Sequence, residues 1–343
     1  MNSTFPDSIL GCLLGTAVGD ALGLPYEGLS RRRVAALGEV RHRLVMGHGM
    51  FSDDTEHTLM LASALASNCD DVQRFQRCFA WKLKWWFLGL PAGVGLSTAT
   101  SILRLWIGFP ITKAGVRSAG NGAAMRSTVL GVFWRDDADK RREFSLAACC
   151  VTHTDPRAEE SALLVAEAAA LASKSIANAN TITALETLII SEEMRSRFEV
   201  LKSSLAAEAS VLEFAAQIGC ARGVSGFAPN TAAVALYAWL RHRGDLESAV
   251  RAVILCGGDT DTVAAITGGI CGAEAGEAGI PREWIDGICD WPRSVTHIRH
   301  VAEALADDSK APPKVFWPFV LLRNVFFLAV VILHGFRRML PPY

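Results

Sequence analysis

Apolar residues recur every three or four positions along most of the chain, which is the spacing of helices that bury one face. In the segment 71–90, for example, Phe75, Phe79, Leu83 and Trp86 follow this spacing. No segment shows the strict alternation of apolar and polar residues that is typical of a strand. The pattern predicts helices over residues 55–67, 71–90, 158–174, 197–219, 230–243, 246–255 and 262–275.

Breaks that contain glycine or proline separate these segments, and none has the length or the biased composition of a linker between domains. They lie at residues 88–96, 108–122, 223–230 and 256–258. A length of 343 residues allows one large domain or two. We therefore predict an all-α fold, a compact multi-helix bundle that forms a single catalytic domain over residues 1–305, followed by an apolar helical tail.

The tail, residues 313–343, differs from the rest of the chain. Residues 315–333 are strongly apolar, but Pro318, Arg323 and Asn324 interrupt them. A bilayer span needs about twenty apolar residues, and an arginine near its centre costs roughly 2.5–3.5 kcal/mol on insertion scales. Three interpretations stay open: a helix docked on the protein, a contact with another chain, and a helix lying on or in a membrane. A true span is the least favoured form of the third.

Composition narrows the class of protein. Hydrophobic residues make up 50% of the chain, charged residues 20%, and the formal net charge is −1. These values argue against disorder and against a basic field that would attract nucleic acid. Nine cysteines without a C-x-x-C pair indicate reduced, buried thiols. With no secretory signal at the N-terminus, we predict a cytoplasmic protein, and membrane association through residues 315–335 stays open.

Two adjacent carboxylates, Asp53 and Asp54, stand in the stretch "FSDDTEHTLML" at residues 51–61. They follow Ser52 at the expected start of a helix. A serine there can accept hydrogen bonds from free backbone N–H groups, and acidic side chains are favoured by the helix dipole. Helix capping explains this cluster when it is taken alone, and the alternative is one half of a metal site.

The same chemistry recurs in "GGDTDT" at residues 257–262, where Asp259 and Asp261 alternate with Thr260 and Thr262. Residues at i and i+2 of an extended segment point to the same side, so both carboxylates can face one centre. Capping explains one such cluster well and two poorly. Four carboxylates in one pocket repel each other unless divalent cations bind, and ligands that are all oxygen predict Mg²⁺ or Mn²⁺ rather than zinc.

Small residues follow this second cluster at helical spacing. Gly268, Gly272 and Gly276 stand at intervals of four. A face without side chains lets another helix approach closely. We expect this segment to lie at the centre of the fold, where tight packing would fix the position of the acidic loop.

Five stretches resemble, in order and in spacing, the motifs of the ADP-ribosylglycohydrolases, the family that includes dinitrogenase reductase-activating glycohydrolase and the eukaryotic ADP-ribosylhydrolases. They cover most of residues 8–280. The resemblance implies an all-α fold with two Mg²⁺ or Mn²⁺ ions in a cleft, which hydrolyses the glycosidic bond between ADP-ribose and a modified side chain. The stretches are "GCLLGTAVGDALGLPYEG" (11–28), "FSDDTEHTLML" (51–61), "GNGAAMRS" (120–127), "THTDPRA" (152–158) and "GGDTDTVAAITGGICGA" (257–273).

The resemblance also implies roles for individual residues. Asp20 of "GDALG" is interpreted as a structural residue, and Phe227 fits an ordinary buried aromatic residue as well as a stacking partner for the substrate. The catalytic acids would be Glu27, Asp53, Asp54 and Asp261, of which the general base stays open. The metal ligands would be Ser52, Asp53, Asp54, Asp259, Asp261 and Thr262. The substrate-binding residues would be Gly120, Asn121, Gly122, His153 and Phe227.

Two functions are consistent with these residues. The favoured one is a metal-dependent hydrolase that removes ADP-ribose from a protein side chain, arginine in preference to serine, or from a small ADP-ribosylated metabolite. The alternative is a catalytically silent protein that binds ADP-ribose as an immunity or scaffold protein. A silent binder would not need all four aspartates of the two clusters, so their presence favours the enzyme.

Overall fold

The computed structural model describes residues 4–340, and helices account for nearly all of its regular structure. Strands β1 (Leu29–Ser30) and β2 (Gly257–Gly258) form a single antiparallel pair in which Leu29 lies opposite Gly258. The α-helices of this part of the chain are α1 Phe5–Gly23, α2 Arg31–Ala36, α3 Asp53–Asn68, α4 Val72–Leu88, α5 Leu96–Trp106, α6 Ile111–Ala114, α7 Thr128–Phe133, α8 Ala138–Cys150, α9 Pro156–Ser173, α10 Asn178–Glu186, α11 Glu192–Ala206, α12 Val211–Gln217, α13 Ala228–Arg241, α14 Leu246–Leu255, α15 Thr260–Ala275, α16 Arg282–Asp286, α17 Val295–Ala306 and α18 Trp317–Arg337.

The all-α prediction is confirmed, and each of the seven predicted segments contains a helix. Six of them hold one continuous helix. The prediction of one helix over residues 197–219 is wrong, because α11 and α12 divide this segment. Glu208 turns the chain with a positive φ of 51°. Ser210 then starts α12 through a capping box with Glu213, in which each side chain bonds the backbone N–H of the other residue.

Helix α1 escapes prediction by periodicity for a physical reason. It is apolar around its whole circumference and is buried almost without interruption from Ser8 to Gly23. A helix that is surrounded on all sides has no polar stripe, so the three-to-four spacing that reveals a surface helix is absent.

The centre of the fold is the contact between α1 and α15, where two backbones meet without side chains between them. A Cβ atom on Gly15 would lie 2.1 Å from the carbonyl oxygen of Gly268, and one on Gly268 would lie 2.2 Å from the carbonyl oxygen of Gly15. Gly11 meets Gly272 in the same way, with 2.2 Å between the added Cβ and the carbonyl oxygen. The prediction of close packing at the centre of the fold is confirmed.

Helix α18 lies against the rest of the chain with its polar residues turned inward. Arg323 is buried and pairs with the carboxylate of Asp290, and its Nη2 donates to the carbonyl oxygen of Phe51 at 2.6 Å. Asn324 is also buried, and its Nδ2 donates to the carbonyl oxygen of Gly89 at 2.9 Å. The residues that interrupt the apolar run are therefore the residues that dock this helix.

Two helices in the described part of the chain are long and apolar enough to cross a membrane, Phe5–Tyr26 and Trp317–Arg337. The most apolar window of the first is 94% buried, as expected of a core helix, whereas that of the second is only 22% buried. One face of α18 is thus docked on the protein and the other is open. Residues 341–343 of the predicted tail lie outside the described residues.

The nine cysteines are all free thiols, but they are not all buried. Cys289 is exposed, and Cys69, Cys78 and Cys150 are half-buried. The prediction of buried thiols is wrong for these four, because Cys289 lies in the loop between α16 and α17, and the other three lie at helix ends or on a partly open helix face.

We expect Gly268→Ala to destabilise the fold, because the added Cβ would collide with the backbone of Gly15, which has no flexible side chain to move aside. Overpacking of this kind costs about 1–3 kcal/mol. Gly335→Ala is the matched control, since Gly335 lies in α18 with open space around its Cα and alanine favours a helix by roughly 0.5–1 kcal/mol. Urea denaturation measures both free energies of unfolding, and equal values would contradict the contact.

Candidate active site

A buried carboxylate at the end of α1 fixes the start of α3. Asp20 accepts hydrogen bonds from the backbone nitrogen of Ser52 at 2.9 Å and from the backbone nitrogen and hydroxyl of Thr55 at 3.0 and 2.6 Å. Burial raises the pKa of Asp20 to about 6, although these donors act in the opposite direction. These contacts agree with the interpretation of Asp20 as a structural residue. They involve Ser52 and Thr55 and use no atom of Asp53 or Asp54.

Asp54 joins the two acidic motifs. The hydroxyl of Ser52 donates to its Oδ2 atom at 3.0 Å, and the hydroxyl of Thr262 donates to the same oxygen at 3.2 Å. Asp54 and Thr262 are 208 positions apart in sequence. The clusters that the sequence suggested as two halves of one site are therefore in direct contact.

The second cluster is carried by a turn that depends on glycine. Gly257 and Gly258 both have positive φ, 72° and 84°, and a Cβ on Gly258 would lie 2.0 Å from the carbonyl oxygen of Val224. The backbone nitrogen of Gly28 donates to the carbonyl oxygen of Gly258 at 2.7 Å. The turn thus brings the Glu27 segment beside Asp259, the first acid of the second cluster.

A third loop approaches the same acids. The side-chain nitrogen of Asn121 donates to Oδ2 of Asp259 at 2.6 Å and to the hydroxyl of Thr231 at 3.1 Å. The ring of His153 lies under the flanking glycines, because a Cβ on Gly122 would lie 2.8 Å from its Cε1 atom. Burial, with the charge of Arg126, lowers the pKa of His153 to about 3. His153 is therefore neutral at physiological pH.

These elements line a cavity of about 320 Å³. Ten of the twelve predicted site residues line it: Glu27, Ser52, Asp53, Gly120, Asn121, Gly122, His153, Asp259, Asp261 and Thr262. Asp54 lies buried behind its wall. Phe227 is not part of the lining. The guanidinium groups of Arg157 and Arg197 each lie 5.5 Å from the centroid of its ring.

A larger cavity of about 870 Å³ lies between residues 39–48 and the C-terminal part of α18. Glu39 and Glu283 are the carboxylates in its lining, and it contains neither acidic motif. The smaller cavity is the candidate active site because it unites the buried acids with the Asn121 loop.

The acids of the site oppose each other's ionisation. Burial, followed by the charge of Asp20, raises the pKa of Asp53 to about 8. Burial and the neighbouring carboxylates also raise the pKa values of Asp54 and Asp261 well above their ordinary range. Loss of solvation and then the charge of Asp259 raise the pKa of Glu27. This concentration of negative charge is unfavourable unless protons or cations compensate for it.

The donor set fits a hard divalent cation. Oδ1 of Asp54 and Oδ1 of Asp261 are buried without a hydrogen-bond partner, and such unpaired oxygens are costly in a protein interior. Hydroxyl oxygens of Ser52 and Thr262 lie beside them, and carboxylate and hydroxyl oxygens are the ligands that Mg²⁺ prefers. Among the described residues, no three His, Cys, Asp or Glu side chains already converge tightly enough to enclose an ion, so hydroxyl groups or water would complete the ligand set.

Three features of the site were not assigned from sequence. Phe327 and Val331 of α18 line the cavity. The Asp290–Arg323 pair binds the backbone of Phe51 on both sides. The nitrogen of Phe51 donates to Asp290 at 3.2 Å, and its carbonyl oxygen accepts from Arg323. The only sequence signal for these roles is the interruption of the apolar tail by an arginine.

The third feature that was not assigned from sequence is Arg126. It is fully buried, and its guanidinium donates to the carbonyl oxygen of Gly122 at 2.6 Å and to the hydroxyl of Thr152 at 2.6 Å. These bonds tie the Asn121 loop to the segment that carries His153. A buried arginine is rare unless its donors are satisfied, but nothing in the sequence distinguishes it from an exposed one.

The sequence model of the ADP-ribosylglycohydrolases matches residues 1–314, which include all twelve predicted site residues. The chain belongs to the ADP-ribosylglycohydrolase family. It is therefore a hydrolase of glycosidic bonds that acts on ADP-ribosylated substrates. Helix α18 lies outside the matched region.

Individual relatives agree with this family. The chain is 33% identical to an uncharacterised protein of Archaeoglobus fulgidus, over 81% of this chain and 90% of that one. It is 30% identical to the ADP-ribosyl-[dinitrogen reductase] glycohydrolase of Rhodospirillum rubrum, over 46% of this chain and 55% of that one. It is 26% identical to the ADP-ribosylarginine hydrolase Tri1 of Pseudomonas putida, over 88% and 78%. A solved ADP-ribosylglycohydrolase-related protein complex superposes with a TM-score of 0.64 and 27% identity, over 88% of this chain and 97% of that one.

In this ADP-ribosylglycohydrolase, we expect Asp20→Asn to lower both stability and activity. The amide would turn a donor toward the N–H groups of Ser52 and Thr55, and an unsatisfied buried group costs about 1–3 kcal/mol. The displaced start of α3 should reduce kcat by roughly tenfold or more, since positioning errors in a site are amplified in rate.

Asp7→Asn is the matched control, because Asp7 lies at the other end of the same helix and accepts from the backbone nitrogen of Glu277 at 3.2 Å. Urea denaturation and ADP-ribose release are measured for both variants. Retention of full activity by Asp20→Asn would show that α3 is held by other contacts.

Proposed function

We propose that the chain is a metal-dependent hydrolase that removes ADP-ribose from arginine side chains of proteins. The observation that carries this proposal is the contact of Asp54 with Thr262 beside the Asp259–Asn121 pair, which unites two acidic clusters and a glycine-rich loop at one cavity. Glycosidic cleavage of a ribose needs groups that hold the sugar, move a proton and tolerate a positively charged transition state. Buried carboxylates are suited to stabilise the positive charge of that transition state.

We propose Ser52, Asp53, Asp54, Asp259, Asp261 and Thr262 as ligands of two Mg²⁺ or Mn²⁺ ions. Support comes from the unpaired oxygens of Asp54 and Asp261 and from the raised pKa values of the buried acids. Bound divalent ions would neutralise the acids, orient ribose hydroxyls and lower the pKa of a bound water.

The remaining residues have roles that follow from their positions. Asn121 and its flanking glycines form the loop that would receive the diphosphate and ribose, because small residues allow close approach of the ligand to the backbone. The neutral His153 beneath this loop can exchange a hydrogen bond with the substrate. Glu27 is the most exposed of the acids at the cavity, so we assign it the transfer of a proton between substrate and solvent.

Two relatives guide the choice of linkage. Tri1 proteins of Pseudomonas putida and Serratia proteamaculans are named ADP-ribosylarginine hydrolases and are 26% and 25% identical to this chain. The ADP-ribosylhydrolase ARH3 of Gallus gallus is also 25% identical, so identity alone does not separate linkages. We favour arginine because two relatives of that name align with 87–88% of the chain. Serine linkages and small ADP-ribosylated metabolites are the competing substrates, and silent ADP-ribose binding is the competing function.

We propose that residues 1–305 hold the catalytic residues and that the tail completes the site. Phe327 and Val331 form part of the cavity wall, and the Arg338 guanidinium donates to the carbonyl oxygen of Glu27 at 2.5 Å. A cytoplasmic location fits a chain with nine free thiols.

The decisive experiment measures ADP-ribose release from ADP-ribosyl-arginine protein, ADP-ribosyl-serine protein and a small ADP-ribosylated metabolite, with Mg²⁺, Mn²⁺ or a chelator. We expect release from the arginine substrate only with a metal. Asp261→Asn should reduce it more than about 100-fold, beyond the loss usual for groups that merely support a ligand. Asp286→Asn is the control, because Asp286 forms an exposed ion pair with Arg282. Binding of ADP-ribose without release under every metal condition would favour the silent protein.

The metal has a readout of its own. We expect Mg²⁺ or Mn²⁺ to raise the melting temperature of the wild-type chain, because a ligand that binds only the folded state stabilises it. The same ions should leave the melting temperature of Asp261→Asn nearly unchanged. An equal rise for both proteins would remove Asp261 from the ligand set.

We expect Val331→Trp to raise KM for the ADP-ribosylated substrate roughly tenfold, since a bulky wall residue removes binding without touching the reacting atoms. Val325→Trp is the control, because Val325 is exposed on the opposite face of α18. Steady-state kinetics give KM for both variants and so test whether Val331 forms part of the substrate-binding cavity. An unchanged KM for Val331→Trp would mean that substrate does not reach α18.

A further inference from the structure

The outer face of α18, defined by Phe319, Leu322, Phe326, Leu333 and Phe336, is an apolar surface that is left exposed by residues 4–340. In all, eleven large apolar side chains between Phe316 and Leu340 are exposed. Their spacing of three, four and seven places the defining five along one side of the helix. Soluble monomers rarely expose an apolar surface of this extent without a partner.

A tryptophan cluster extends this surface at the N-terminal end of the helix. The ring centroid of Trp85 lies 6.1 Å from that of Trp317 and 6.3 Å from that of Trp106. Trp81, Trp85 and Trp106 are exposed. Tryptophan is enriched where protein meets the headgroup layer of a membrane, because its ring is apolar and its N–H is polar.

The docked face of α18 argues against a helix that crosses a bilayer. Its 21 residues make a helix about 30 Å long, which is sufficient for a span. Arg323 is, however, the only Lys, Arg, Asp or Glu in residues 315–336, and it is paired with Asp290 in the protein interior. Withdrawal of α18 would separate Arg323 from Asp290 and leave both charges without their ion-pair partner, which is unfavourable. The apolar side alone is available to lipid.

The surroundings of this surface are basic. Lys82 and Lys314 line a cavity together with Trp81, Trp85 and Trp317. The amino group of Lys84 lies 4.2 Å from the ring centroid of Trp106 within the tryptophan cluster. Basic side chains beside an apolar face are attracted to anionic lipid headgroups.

We propose that the outer face of α18 and the tryptophan cluster bind the surface of an anionic lipid bilayer, with the helix lying in the plane of the interface. A second copy of the chain fits this surface less well. A symmetric contact would place the same lysines and the same apolar face against each other, and residues 315–336 contain no Asp or Glu that could pair with these lysines. Anionic headgroups supply the missing negative charge.

The test is flotation of the full-length protein with vesicles of phosphatidylcholine alone and of phosphatidylcholine mixed with phosphatidylglycerol. We expect binding to the mixed vesicles, weakened by high salt because ionic attraction is screened. Leu322→Glu should lower the bound fraction at least tenfold, since it places a charge in the outer face, where Leu322 is 58% exposed. Ile190→Glu, at a residue 75% exposed outside this surface, should bind as the wild type does.

Hydrolase activity in solution, or the urea denaturation curve, establishes that both variants are folded. Equal flotation of Leu322→Glu and wild type would overturn the assignment of the outer face. Equal binding to neutral vesicles would overturn its charge preference. Failure to bind either vesicle would overturn the proposal, and a lipid-free dimer that Leu322→Glu dissociates would assign the face to a second copy.

Discussion

The site depends on the contact of α1 with α15, in which glycine backbones touch. Because a Cβ on Gly19 would lie only 2.0 Å from the carbonyl oxygen of Ala264, the two helices cannot move apart or twist without losing this contact. Asp20 in the last turn of α1 fixes the start of α3, and Asp261 and Thr262 lie in the first turn of α15. Helix separation therefore sets the distance between the two acidic clusters. Larger residues at this contact would change the site without altering any of its acids.

Close packing is needed because the acids repel each other. Burial raises the pKa of Asp53 to about 8 and that of Asp54 well above its ordinary range, so the folded chain concentrates charge that an unfolded chain would disperse. Contacts outside the site oppose this repulsion. The hydrogen bonds to Asp20 hold one end of the acidic segment, and the buried Arg323–Asp290 pair holds Phe51 at the other. The buried acids are thus held in place by contacts that come from outside their own cluster.

Burial and contacts between distant segments decide which parts of the fold and site could be predicted from the sequence. Amphipathic helices such as α4 and α14 were predictable, because each buries one face and leaves the other at least partly open, whereas α1 was not, because it is enclosed. The two acidic clusters were recognisable because they combine carboxylates, hydroxyls and glycines within a few residues. Arg126 was not, because its role depends on partners at positions 122, 148 and 152, and no local pattern encodes contacts between distant segments. Phe227 shows the opposite case. It was predicted to bind substrate because an aromatic ring stands near a motif, but it contacts two arginines and does not line the cavity.

Helix α18 combines two roles that a sequence pattern cannot separate. Its inner face contributes Phe327 and Val331 to the cavity, and Arg323 on that face pairs with Asp290 beside the acidic segment. Its outer face is apolar and exposed. An arginine in an apolar run normally argues against a membrane, because its charge must be solvated. Here the protein itself solvates that charge, so the arginine limits how deeply the helix can enter lipid while leaving the outer face free to lie on it. Arg323 thereby holds in place the helix that has the candidate active site on one side and the exposed apolar face on the other.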